Sequence, residues 1–334
     1  MAVVSLKPGH VQPVWAGHPW VYAQAVARVS GGARAGDEVE VVDAQSNLLG
    51  RGLYSPGSAI AVRMYTRDKS TRIDAALFER RIASAIERRK ALGLPSADTD
   101  AYRVIHAEGD ELPGLVVDRY GDVLVVQTAT IGIKQREETL FAALVAALSP
   151  RAILDRTSER AAKTEGFELR RGVVYGDETL NELAFSERGF RYRIPLELGQ
   201  KTGFYVDQRD LRARVEELAR GKRVLDAFSY VGAISMAAAR GGATAVRRGS
   251  SALALEVAAE CARENGCKAR ISSARARGRP RHAGAGRAAG RLRPCEVVCD
   301  PPKLAPSRAA KKRALGAMRR LAAAGARATR WAAS

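Results

Sequence analysis

Beyond about residue 200 the chain alternates helix and strand, and that alternation constrains its fold more than any other feature. A helix is expected over about 208–219, where Leu211, Val215 and Leu218 share an apolar face. An apolar strand follows at 222–228, then a glycine-containing turn and a small-residue helix at 234–240. A further helix is expected over about 253–265, and a short strand at 296–299 runs into Asp300-Pro301-Pro302-Lys303. Strands separated by crossover helices pair in parallel, so this part reads as a doubly wound α/β sheet.

The first 190 residues read differently. Residues 1–70 hold short alternating segments such as Glu38-Val39-Glu40-Val41-Val42-Asp43 and Ala59-Ile60-Ala61-Val62-Arg63-Met64. Glycine and proline at Gly17-His18-Pro19-Trp20, Gly31-Gly32 and Pro56-Gly57 supply turns, giving a small β-rich unit. An amphipathic helix is expected over 74–92, capped by Asp74, with Phe78, Ile82 and Ile86 on one face and Gly93 and Pro95 ending it. Strands near 114–118, 123–127, 152–155, 180–184 and 189–195, with a helix near 134–148, complete an α+β middle unit. We therefore expect three domains, 1–72, 73–190 and 191–334.

Charge and cysteines narrow the function classes. The net charge of +19 invites a nucleic-acid partner, but its distribution is uneven. The first 240 residues hold 34 Lys and Arg against 31 Asp and Glu; the last 94 hold 21 against 5. A phosphate-tracking groove draws on several elements, whereas here the excess lies in one terminal stretch. Cys261, Cys267, Cys295 and Cys299 form no CxxC pair, and His282 stands alone, so no metal site is expected. No apolar run would span a bilayer, and the N-terminus lacks signal-peptide character. A cytoplasmic protein without membrane partners is the expectation.

Three segments carry chemistry. In Val224-Leu225-Asp226-Ala227-Phe228-Ser229-Tyr230-Val231-Gly232 an apolar strand ends in a carboxylate and a glycine turn opens a helix. Ligands of open α/β sheets lie at such strand ends, and Gly232 would let a cofactor approach the backbone. The competing reading is an ordinary strand–turn–helix. The absence of GxGxxG disfavours a dinucleotide. Asp300-Pro301-Pro302-Lys303 is the second: two prolines hold a stiff loop that presents a carboxylate and backbone carbonyls to a flat base or an amine. The third runs from Leu198 to Arg209, where Gly203 and Phe204 would wall a pocket and Asp207, Gln208 and Arg209 open the next helix. Its simpler reading is a helix start capped by Asp207.

In this order the three segments resemble the class I methyltransferases that act on C5 of cytosine in 23S ribosomal RNA. Gly17-His18-Pro19-Trp20-Val21-Tyr22 looks like the family's N-terminal PUA domain, an RNA-binding β-barrel, and Leu112-Pro113-Gly114-Leu115-Val116-Val117-Asp118-Arg119-Tyr120 resembles its middle domain. The likeness covers residues 1 to about 243 and resumes at about 250–267 and 297–330. It implies a PUA-like barrel, a central α+β domain and a Rossmann-like sheet that binds S-adenosyl-L-methionine. Its cofactor contacts would be Phe204, Asp207, Gln208, Arg209, Asp226, Phe228, Ser229, Tyr230, Gly232, Asp300 and Pro301. It also implies ribosomal RNA as partner, and leaves the oligomeric state open, a homodimer included. Family members use a cysteine thiolate that adds to C6, which makes C5 nucleophilic toward the methyl group.

The sequence departs from that plan at three places. Gly249 stands where the resemblance implies an acidic residue for the cofactor ribose, and losing such a charged hydrogen bond costs about 1.5–3 kcal/mol. Residues 268–294 hold nine Lys and Arg and no acid, and no strand or amphipathic helix is expected there. An out-of-frame stretch or a basic RNA-binding loop would each produce this composition. The chain ends at Ser334, before the motif that carries the family's nucleophile, so no catalytic cysteine is assigned and the sheet is expected to be truncated. Weak or absent catalysis is expected, with a non-catalytic RNA-binding remnant as the alternative.

Overall fold

Alternation in the first 70 residues produces the sheet it predicts. In a computed structural model that describes residues 1–199, 202–249, 251–267, 271–275, 296–301 and 308–329, the chain forms two units. The first comprises Met1–Ser186 and Gln200–Phe204, the second Glu187–Gly199 and Tyr205–Ser334.

The first unit opens with β1 (Ala2–Leu6), helix α1 (Gln12–Trp15), β2 (Trp20–Tyr22), β3 (Val26–Ser30), β4 (Glu38–Val42), β5 (Leu48–Tyr54) and β6 (Ile60–Thr66). They form one sheet in the order β2-β6-β5-β4-β1-β3, with only β1 and β4 parallel. The period of two puts Val39 and Val41 in a core with Val4, Leu6, Val21, Val62 and Met64. Glu40 stays on the other face, paired with Arg51 at 3.1 Å. Gly50 and Gly52 permit the close approach of β5 to β6: a Cβ at either would lie within 2.2 or 2.3 Å of the Thr66 or Arg63 carbonyl oxygen.

Helix α2 (Ala75–Ala91) follows, and Asp74 caps it by accepting from the Leu77 backbone N–H at 3.0 Å. Strands β7 (Ala101–His106), β8 (Leu115–Tyr120), β9 (Val123–Thr128), β10 (Ala152–Asp155) and β11 (Gly172–Gly176) make a second sheet, ordered β11-β10-β9-β8-β7. Short helices α3 (Ile131–Lys134), α4 (Glu137–Leu148) and α5 (Glu159–Glu165) connect its strands. Phe78 and Ile82 of α2 pack with Val104, Leu115, Leu124, Leu140 and Ile153; Leu53 and Tyr65 of the preceding sheet join the same core. The β-rich and middle parts therefore share buried surface within one unit. Strand β12 (Glu182–Glu187) closes this part of the chain.

The second unit contains β13 (Phe190–Pro195), α6 (Arg209–Leu218), β14 (Arg223–Asp226), α7 (Ala233–Arg240), β15 (Thr244–Gly249), α8 (Ala252–Glu264), β16 (Ile271–Arg275), β17 (Glu296–Val298) and α9 (Lys311–Thr329). Its sheet runs β16-β15-β14-β17, all parallel, as the helix–strand alternation requires. Helix α7 is buried on almost every side, which is why its sequence is nearly all small and apolar. Strand β16 corrects the expectation that nothing regular passes through the basic stretch. Outer-strand pairing with β15 needs only backbone N–H and C=O groups, and Ile271 supplies the buried apolar contact. The remainder of that stretch, together with Gln200, Lys201, Ser250, Cys295, Pro302 and Lys303, lies outside the described residues.

Candidate cofactor site

The sheet of the second unit reverses direction at β14. From β14 the chain builds outward to β15 and β16, then returns to the opposite side as β17. In open α/β sheets, ligands bind outside the carboxyl ends of the strands where the order reverses. Register fixes which residues meet there. Asp226 lies opposite Val298, and the Ala227 N–H donates to the Val298 carbonyl at 3.0 Å. The turn after Asp226 and the residues Cys299-Asp300-Pro301 therefore leave the sheet side by side.

The turn after β14 is tightly held. Asp226 is 2% exposed, and its Oδ2 accepts from the Ser235 hydroxyl at 2.9 Å. That bond ties the strand end to the first turn of α7. The backbone reverses through left-handed conformations at Tyr230 (φ 46°) and Gly232 (φ 78°), and the Gly232 N–H donates to the Ser229 carbonyl at 2.6 Å. Glycine adopts this conformation freely; Tyr230 does so at a cost of about 1–3 kcal/mol and is held there, its hydroxyl donating to the Leu198 carbonyl at 3.3 Å. Phe228 is half-buried. The Ser229 hydroxyl is buried yet has no hydrogen-bond partner among the described residues. Buried hydroxyls are normally satisfied, so this one is suited to a ligand group.

The β17 side supplies an exposed carboxylate. Gln208 Nε2 donates to Asp300 Oδ2, and Pro301 is half-buried beside it. The Tyr205 ring meets Tyr230 edge-on, with centroids 5.9 Å apart. Partial burial raises the Tyr205 phenol above its ordinary pKa, and the negative charges of Asp300 and Asp207 push it further in the same direction. Asp207 is exposed within a single 3₁₀ turn, Val206–Gln208, and does not cap α6. Gln208 occupies the cap position without a side-chain bond, because the 3₁₀ turn carries the chain directly into the helix. Arg209 begins α6 and lies 3.5 Å from Glu187 Oε1.

Ten of the eleven residues named from sequence thus fall in the second unit; Phe204 belongs to the first. There its N–H donates to the Tyr120 hydroxyl at 3.0 Å, and its ring packs against Phe185 at 5.2 Å. Neighbouring Thr202 donates to Asp118, a fully buried carboxylate that also accepts two bonds from Arg103. Three residues that the sequence did not single out hold the site together. Tyr205 packs on Tyr230, and fully buried Arg212 reaches both Glu187 (3.2 Å) and the Tyr205 carbonyl (3.1 Å).

Cys299 is half-buried, with Sγ facing α9: a Cβ at Gly325 would lie 3.9 Å from it. Burial raises its thiol pKa, and the negative charge of Asp226 raises it further. An attacking cysteine needs the opposite environment, one that favours thiolate. No group of His, Cys, Asp and Glu among the described residues could hold a metal ion. No helix among them is long and apolar enough to cross a membrane.

The donor set suits the polar groups of S-adenosylmethionine in part. Asp226, Asp300 and the unsatisfied Ser229 hydroxyl offer acceptors at the strand ends. Strand β15 ends at Gly249, a residue without a side-chain acceptor, where the resemblance implies a carboxylate for the ribose diol. Comparison with known proteins agrees with the architecture. Residues 4–67 match a PUA-like domain family, and residues 172–305 match an S-adenosylmethionine-dependent methyltransferase family. A solved chain from Streptococcus mutans described as a SAM-dependent methyltransferase has the same fold (TM-score 0.76, 20% identity, 90% of this chain and 77% of that one). A methyltransferase solved in complex with SAH superposes with a TM-score of 0.77 at 20% identity, over 92% of this chain and 78% of that one.

The chain thus resembles the class of S-adenosylmethionine-dependent methyltransferases over residues 172–305, with a PUA-like domain match at 4–67 before it. Within that class its sequence relatives are proteins named ribosomal RNA large subunit methyltransferase I. The relative from Escherichia coli O139:H28 is 39% identical over 241 residues, 72% of this chain and 61% of that protein. The relative from Shewanella denitrificans is 38% identical over 265 residues, 79% of this chain and 66% of that protein. The match thus spans less than two thirds of each relative's length.

Proposed function

We propose that this chain is built as an S-adenosylmethionine-dependent methyltransferase for C5 of a cytosine in 23S ribosomal RNA, and that the 334 residues transfer methyl weakly or not at all. The strand register that sets Asp226 opposite Val298, two residues before Asp300, at the point where the strand order switches carries the reading. Residues 1–72 would hold RNA, 73–190 would form the central domain, and 191–334 would bind the cofactor. When bound, the cofactor supplies an electrophilic methyl group. The chain's own residues would orient it: Ser229 through its free hydroxyl, Asp226 through the turn it locks, and Phe228, Tyr230 and Pro301 as apolar walls. Gly232 would allow close backbone approach, Gln208 would fix Asp300 through its side-chain bond, and Asp207 and Arg209 would contact the cofactor. Asp300 and its loop carbonyls would face the flat base or its amine.

A second reading, a non-catalytic RNA-binding remnant, is favoured by Gly249. The test is incubation of the purified chain with methyl-labelled S-adenosylmethionine and protein-free 23S RNA, followed by nucleoside analysis. Trace 5-methylcytidine, or none with RNA binding retained, is the expected result. Robust labelling of cytosine C5 would contradict the weak-transfer claim, and labelling of another base would contradict the target.

A further inference from the structure

The Gly17–Tyr22 segment carries more than a turn. Trp20 and Tyr22 alternate along β2, an outer strand of its sheet, so their side chains share one face, and His18, two residues before the strand, sets its ring against both. Their rings form a contiguous array: His18 to Trp20 5.5 Å, Trp20 to Tyr22 6.2 Å and His18 to Tyr22 6.1 Å between centroids. The array is fixed. Trp20 Nε1 donates to Glu108 Oε1 at 2.8 Å, and His18 Nδ1 accepts the Trp20 backbone N–H at 3.2 Å. Tyr22 is nevertheless 40% exposed, and Trp15, in adjacent α1, is 66% exposed. A cation stands at each end. Exposed Arg67 donates to the His18 carbonyl at 3.4 Å, and exposed Lys7 donates to the Gln24 carbonyl at 2.9 Å. Neither is paired with a carboxylate among the described residues.

We propose that His18 and Tyr22, braced by Trp20, form a stacking platform for an unpaired RNA base, with Arg67 and Lys7 taking the flanking phosphates. Rigid aromatics exposed between two cations match the chemistry of a single-stranded nucleotide: π-faces for the base, positive charge for the backbone. An apolar protein partner would have no use for the cations, and a regular duplex would offer the rings no open base face. The proposal rests on the reading that the chain acts on RNA, and adds where and in what form the RNA is held.

The test is binding of a fluorescently labelled 12-nucleotide single-stranded RNA to the full chain, with a matched duplex as comparison and S-adenosylhomocysteine affinity as a separate readout. Tyr22→Ala and His18→Ala should each weaken single-strand binding about 5- to 100-fold. Tyr22→Phe should bind as the parent does, and Arg67→Ala should lower the salt dependence of binding. Cofactor affinity should not change in any of these variants. If single-strand binding is unchanged in Tyr22→Ala, or the duplex is preferred, the platform is wrong while RNA action stands. If the chain binds no RNA at all, the underlying functional reading fails with it.

Discussion

Removing the carboxylate of Glu187 tests how the cofactor site is held. Glu187 is fully buried and accepts from the guanidinium of Arg212, itself 2% exposed, at 3.2 Å, with Arg209 at 3.5 Å. Arg212 also donates to the Tyr205 carbonyl, so the pair anchors the segment that carries Tyr205, Asp207 and Gln208. Two ions in a dry interior are expensive to bury, and removing one leaves the other's desolvation uncompensated, at about 3–5 kcal/mol. With an m-value of about 2 kcal/mol/M, Glu187→Ala should lower the urea midpoint of the second unit by roughly 1.5–2.5 M. Glu187→Leu combined with Arg212→Met should recover much of the loss, since a matched apolar pair avoids desolvation altogether. The assay is urea unfolding followed through a fluorophore in the second unit, with cofactor affinity measured alongside. A Glu187→Ala midpoint within about 0.5 M of the parent would refute the reasoning.

Other outcomes follow from the same geometry. Gly249→Asp should raise S-adenosylhomocysteine affinity about 10- to 150-fold by restoring an acceptor at the end of β15, measurable by calorimetry. Cys299 should alkylate slowly at neutral pH and accelerate only as pH rises above the ordinary thiol range, because burial and Asp226 both disfavour its thiolate; fast alkylation at pH 7 would contradict this. Glu216 is held by Arg240 at 2.7 Å and by Arg188, and its pKa is lowered, first by the Arg240 hydrogen bond. A depressed folded pKa contributes stability present above the unfolded value and lost as pH falls through the folded one. Glu216→Gln should therefore reduce stability at neutral pH while flattening the decline on acidification below about pH 4.

Periodicity made the backbone of this fold legible, and its limits follow from what periodicity omits. Helix α2 with its Asp74 cap and strand β14 were readable because apolar spacing and cap chemistry are local. Strand β16 was not, because an outer strand needs little apolar sequence and its pairing is carried by main-chain groups. Glu187 and Arg212 stand 25 residues apart and meet only after folding, so no local pattern announces them. Asp118 lies inside a segment recognised by resemblance, but its role in accepting from Thr202 depends on a contact 84 residues away. Asp207 misled for a related reason: acidic residues before helices usually cap, and here an intervening 3₁₀ turn takes that place.

The central claim is that the reversal point of the parallel sheet holds S-adenosylmethionine. Calorimetric titration of the full chain with S-adenosylhomocysteine, beside the Asp300→Asn variant, tests it most directly. The account predicts saturable one-site binding weakened by the missing carboxylate at 249, and a further clear loss in Asp300→Asn. Absence of binding up to millimolar ligand in the parent and in Gly249→Asp, or full affinity in Asp300→Asn, would contradict it.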